Sequence, residues 1–192
     1  MAQTSITLLG QKGLTAAVTG TTISFNATDK KIVHSANGFG NLKTNDIVTV
    51  TNASTASNNK DYTIATVASD GSYVTTHEIT TTEGAGANIS VTHSGFISNK
   101  AKGDGYYSQP DGIHTVAYHI SDTLPAATTI KMQGSLVTIP TEDDWFDIPN
   151  SGATPDLSTK SSTANFTGNF VWTRVKITGI TAGSITKVLF NH

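Results

Sequence analysis

Apolar and hydroxyl-bearing residues alternate along much of this chain in short runs, as in Asp46-Ile-Val-Thr-Val-Thr51 and Ala87-Asn-Ile-Ser-Val-Thr92. Successive side chains of a strand point to opposite faces, so such runs set Val48 and Val50, or Ile89 and Val91, on one face and Thr or Ser on the other. No stretch shows the apolar spacing of an amphipathic helix. The alternation predicts short strands at residues 5–9, 21–26, 31–34, 46–51, 62–68, 72–77 and 88–92. It predicts longer ones at 113–120, 128–139, 169–178 and 184–191. Asn37-Gly38, Ser57-Asn-Asn59, Asp70-Gly71 and Gly84-Ala-Gly86 punctuate the first set. The Asp70-Gly71 pair predicts a two-residue turn with positive φ, which makes residues 62–77 one hairpin.

The expected architecture is all-β, with a small barrel-like N-terminal module followed by a β-sandwich of jelly-roll or immunoglobulin-like type. The expected boundaries are an N-terminal arm at 1–19, the module at 20–93, a linker at 94–112 and the sandwich at 113–192. The linker is placed by Ser94-Gly95, Lys100-Ala-Lys-Gly-Asp-Gly105 and Gln109-Pro-Asp-Gly112, a polar and turn-prone stretch. Two surfaces are expected to bind partners. In the arm, Ile6, Leu8 and Leu9 lie on a strand interrupted by Gly10 and Gly13, with too few apolar residues for an independent core. Such a segment can add to a partner's sheet edge; the alternative is an ordinary first strand of the N-terminal module. In the run 169–178, Val171, Val175 and Ile177 suit a core, leaving Phe170, Trp172, Arg174 and Lys176 as a second, amphipathic face.

Composition sharpens the picture. Threonine accounts for 33 of 192 residues, and its stiff χ1 and wet hydroxyl suit the solvated face of a strand. Charged residues make up only 14%, against about 25% in ordinary domains, so little repulsion keeps copies apart and self-association is expected. The net charge is −2, and Arg174 is the only arginine. Without clustered Lys and Arg, nucleic acid is not an expected partner. The chain has no cysteine, which excludes disulfides and thiolate metal sites. Its first residues lack a basic segment and a long apolar run, so no signal peptide is expected, and no run of about 20 apolar residues predicts a membrane helix.

Candidate chemistry is sparse. His114 and His119 stand five apart on one strand, and the period of two sends them to opposite faces, so they do not share a metal. Glu142-Asp-Asp-Trp-Phe-Asp147 offers carboxylates for Ca²⁺, although an acidic turn before an aromatic anchor is the preferred reading. Ser, His and Asp occur without a Gly-x-Ser-x-Gly elbow, and Gly84, Gly86, Gly103 and Gly105 lack the following helix that a phosphate cradle needs. Four Asn-x-Ser/Thr sequons, at Asn26, Asn52, Asn88 and Asn165, match the number chance gives in so Ser- and Thr-rich a chain. Tyr106, Tyr107, Trp145 and Trp172 are candidates for a sugar-stacking platform, with packing inside the fold preferred. No catalytic residue, metal or cofactor is assigned, and an enzyme is not expected.

Residues 30–92, carried by Lys31-Ile-Val-His-Ser-Ala-Asn-Gly-Phe39, Asn45-Asp-Ile-Val-Thr-Val-Thr-Asn52, Asn59-Lys-Asp-Tyr-Thr-Ile-Ala-Thr-Val67 and Glu83-Gly-Ala-Gly-Ala-Asn-Ile-Ser-Val91, resemble a small β module of tailed-bacteriophage structural proteins. Asp144-Trp-Phe-Asp-Ile148, Phe166-Thr-Gly-Asn-Phe-Val-Trp-Thr-Arg-Val-Lys-Ile177 and Thr181-Ala-Gly-Ser-Ile-Thr-Lys-Val188 resemble the end of another group of phage virion proteins. The resemblance implies a virion component made in the host bacterial cytoplasm. The expected role is capsid decoration on the head surface, with the major capsid protein and the chain itself, as a homotrimer, for partners. The alternatives are a tail or head-fibre component and a carbohydrate- or Ca²⁺-dependent adhesion domain.

Overall fold

The computed structural model describes residues 5–107, 112–121, 124–152 and 160–191. Residues 1–4 of the expected arm and 108–111 of the expected linker lie outside them. The strands in chain order are β1 (Ser5–Leu9), β2 (Lys12–Gly13), β3 (Val18–Gly20), β4 (Ile23–Asn26), β5 (Lys31–His34), β6 (Asp46–Thr51), β7 (Asp61–Val67) and β8 (Tyr73–Thr76). They continue with β9 (Ile89–Ile97), β10 (Ala101–Lys102), β11 (Ile113–Ile120), β12 (Thr129–Ser135), β13 (Phe146–Asp147), β14 (Ser161–Thr167), β15 (Trp172–Thr178) and β16 (Ser184–Asn191). The described helical segments are single 3-10 turns at Ala56–Asn58, Asp104–Tyr107 and Glu142–Asp144. The fold is all-β.

The chain divides into two compact units, one of residues 15–96 and one of residues 1–14 with 97–192. This differs from the expected division at both ends. The arm's strand belongs to the C-terminal unit, and much of the expected linker is ordered structure, comprising the end of β9, β10 and the turn Asp104–Tyr107. Local glycine content suggested a break, but backbone pairing overrides it: the Gly103 and Gly105 amides donate to the carbonyls of Val171 and Phe170.

In the unit of residues 15–96, antiparallel strands run in the order β9-β6-β7-β8-β5-β4, with β3 also on β9. The sheet wraps a core of Ile23, Phe25, Ile32, Phe39, Leu42, Val48, Tyr62, Ile64, Val74, Ile89 and Val91. Apart from Phe39 and Leu42, these are apolar members of the alternating runs, and their burial is what fixes register. Strands β7 and β8 form the expected hairpin, but its turn is longer than two residues. Ala68 N–H donates to Tyr73 O and Gly71 N–H to Ala68 O, while only Gly71, at φ 73°, lies in the left-handed region. A Cβ at Gly71 would sit 2.7 Å from the Gly40 amide nitrogen, so this glycine serves both conformation and close approach.

In the other unit, one sheet runs β1-β16-β11-β14, with β2 beside β16. A second runs β13-β12-β15, with β10 beside β15. The two face each other across Val116, Tyr118, Ile120, Ile185, Val188 and Phe190 on one side and Ile130, Met132, Val175 and Ile177 on the other, all buried. Tyr118 Oη donates to Ser151 O at 2.6 Å, and Ser151 Oγ in turn accepts from the Met132 amide, so these buried polar groups bridge the layers.

Candidate functional site

The run 169–178 was expected to show a partner-binding face. The strand begins only at Trp172, so Phe170 does not follow its alternation. Phe170 is buried and packs against Phe166, His114 and Phe146 at ring distances of 6.2, 5.9 and 6.0 Å. A Cβ at Gly134 would lie 2.6 Å from its ring, which explains the glycine in the neighbouring strand. Arg174 is also buried. Its Nη1 and Nη2 donate to Glu142 Oε1 and Oε2 at 2.9 and 2.8 Å, and its Nε donates to Gln133 Oε1 at 2.9 Å. The guanidinium carbon lies 4.2 Å from the centre of the Trp145 ring. The expected outward face is therefore covered at Arg174 by the chain's own segment 142–145, and neither Phe170 nor Arg174 is offered to a partner.

The acidic run is divided among separate protein partners. Glu142 takes Arg174. Asp144 accepts from the Thr141 amide and hydroxyl, both at 2.7 Å, and these bonds hold its carboxyl below the ordinary value. Asp147 accepts from Gln133 Nε2 and Lys131 Nζ, each at 3.0 Å. Burial pushes the Asp147 carboxyl up, but the two hydrogen bonds and the lysine charge outweigh it and bring it down. The result is a polar ladder, Lys131–Asp147–Gln133–Arg174–Glu142, across β12, β13 and β15. Among the described residues no group of three His, Asp or Glu is placed to hold a metal ion.

His114 and His119 fall on opposite faces of β11, His114 fully buried and His119 half-buried. His114 Nε2 lies 2.8 Å from Gly168 O, and its ring stacks on Phe190 at 5.4 Å. In the leading strand, Leu8 and Leu9 are buried and Ile6 half-buried, with Ile6 opposite Phe190 and Leu9 opposite Val188 of β16. These side chains are spent on their own unit, which corrects the expectation of an arm held out to a partner.

Exposed apolar side chains follow the end of β12, beside the start of β15, and one lies on β13. Leu136 is 63% exposed, Val137 42%, Ile139 81% and Phe146 42%. The expected strand 128–139 stops at Ser135 because the Ser135 hydroxyl accepts the Val137 amide at 3.2 Å and diverts the chain. The diverted segment is tied down by Trp172, whose Nε1 donates to Thr138 O at 2.9 Å. Trp172 packs against Tyr106 at 5.2 Å. Lys100 Nζ lies 4.4 Å from the Trp172 ring centre and Lys102 Nζ 4.1 Å from that of Tyr106, so a lysine covers one face of each ring. Of the four expected platform aromatics, the structure joins Tyr106 and Trp172 and gives Trp145 to Arg174; Tyr107 lies outside the described side chains.

The exposed aliphatics and both lysines were missed in the sequence, where the run Leu136-Val-Thr-Ile139 reads as the end of a strand. Pro140 directly after the run was the available signal. No family model, no curated protein and no solved structure matches the chain.

Proposed function

We propose that the protein is a non-enzymatic virion component of a tailed phage, a capsid decoration protein that binds the major capsid protein on the outside of the head and opposes internal DNA pressure. The observation that carries this reading is the apolar rim. Leu136, Val137 and Ile139 present aliphatic surface to water, on a segment held by Trp172, with Tyr106 and two lysines beside that ring. Large apolar side chains grouped on a surface and rimmed by polar ones are characteristic of protein contact sites. A charged fraction of only 14% suits many copies packed close on a lattice. The phage-module resemblance of residues 30–92 and 144–188 supplies the setting. With a lysine against one face of each ring, the rim suits a protein surface better than a sugar ring.

The test is where the protein sits. Reconstruction of particles from the host that makes the chain should show regularly spaced density for it on the head exterior. Density confined to the tail or fibres, or none on the particle, would overturn the reading.

A further inference from the structure

Among the described residues, the ends of the main sheets are guarded at β4, β13 and β1 but not at β14. Strand β4 exchanges backbone hydrogen bonds with Glu83 through Phe25, which covers its edge. Strand β13 has two residues and carries Asp147. Strand β1 is interrupted by a register shift between Thr7 and Leu9. Bulges, charge, shortness and cover are the ordinary means of keeping an edge from pairing with another chain. Among the described residues, strand β14 has none of them. Its seven residues, Ser161-Ser-Thr-Ala-Asn-Phe-Thr167, contain no charge and no proline. They pair with β11 in unbroken register from Ile113↔Thr167 to His119↔Ser161. No described strand lies beyond β14.

The register also says which backbone groups face outward. Gly168 N–H donates to Gly112 O and Ile120 N–H to Lys160 O, so the pairs at both ends of this ladder are hydrogen-bonded. Alternation along an antiparallel ladder then assigns Ser162, Ala164 and Phe166 to β11. The N–H and C=O groups of Thr163, Asn165 and Thr167 point away from the sheet, and the side chains of all three are exposed.

We infer that β14 is a self-association edge, and that its occupant is β14 of a second copy, paired antiparallel about a two-fold axis at Ala164. In this register Thr163 of each copy bonds with Asn165 of the other. On the inward face Ala164 meets its own copy, and each Phe166 lies beside the small Ser162 of its neighbour. Lys160, the nearest flanking charge, meets Gly168 and no like charge. The four strands β1-β16-β11-β14 become half of an eight-stranded sheet. An isologous contact of this kind closes after two copies, so the unit is a dimer rather than the trimer expected from decoration proteins at three-fold positions. The inference is independent of the virion reading.

The absence of cysteine makes the test clean. Residues facing each other in a pair without hydrogen bonds lie about 4.5 Å apart at Cα, within disulfide range. Ala164→Cys should therefore form a disulfide-linked dimer on mild oxidation, well ahead of Thr163→Cys or Asn165→Cys alone, while mixing those two should give a cross-linked heterodimer. Light scattering of the native chain at high concentration should give twice 20.1 kDa, falling to one chain in the double variant Thr163→Lys, Asn165→Lys with the melting temperature unchanged. Should the lysine variant fail to fold, the cysteine pattern decides alone. A native monomer or trimer overturns the inference, as does cross-linking that is absent or equal at the three sites.

Discussion

Glu83 accepts from the amides of Ser54 and Thr55 at 2.8 and 3.0 Å and from Asn58 Nδ2 at 3.0 Å. Burial pushes its carboxyl up, but these hydrogen bonds outweigh it and hold the group below its ordinary 4.5. A carboxylate whose pKa is lower in the folded state stabilises the fold fully above its unfolded pKa, and that stability is lost as the pH falls through the folded value. Glu83→Gln should therefore lower the urea midpoint at neutral pH, and the gap to the native protein should close as the pH drops below the ordinary 4.5. A gap that stays constant through that range would contradict the assignment. Single residues were the least legible part of the sequence. The alternation placed His114 and His119 on opposite faces correctly. Arg174 was assigned outward by the same parity, which holds no knowledge of the segment 142–145 folding over it. Phe170 was misplaced because the strand starts two residues after it.

At the scale of elements, the alternating pattern found most strands, and β1, β5, β6, β11 and β16 begin and end where expected. Strand β14 was missed because Ser161-Ser-Thr-Ala-Asn-Phe-Thr167 has one large apolar residue and no inward alternation to detect. The extra length of β12 came from reading Leu136-Val-Thr-Ile139 as its continuation, where a serine side chain ends the ladder. Strands β1 and β16 were both found, but their pairing, almost the length of the chain apart, was not. Local pattern carries no information about so distant a pairing. Since Leu9 is 5% exposed and lies opposite Val188, Leu9→Ala should cost about 2–5 kcal/mol in urea unfolding, as for a core leucine. A loss within about 0.5 kcal/mol, the range of surface substitutions, would mean that β1 is not held in the sheet.

At the scale of the whole molecule, the all-β class followed from composition and alternation together, because Thr on one face and Val or Ile on the other suit a half-buried sheet and no helix. The division into units did not. A glycine-rich stretch looked like a linker, whereas two crossings of the chain between units, near residues 14 and 97, mark the boundaries. The functional reading rests on resemblance and not on a motif, since a surface of ordinary apolar side chains leaves none. The central claim is that the rim of Leu136, Val137 and Ile139 is the surface that meets the capsid. The most direct measurement is co-sedimentation of the purified chain with heads stripped of it, comparing the native protein with the triple variant Leu136→Ser, Val137→Ser, Ile139→Ser. The account predicts saturable binding by the native chain and at least about a tenfold loss in the variant, equivalent to about 1.4 kcal/mol, at an unchanged melting temperature. Equal binding by a folded variant, or no binding by the native chain, would contradict it.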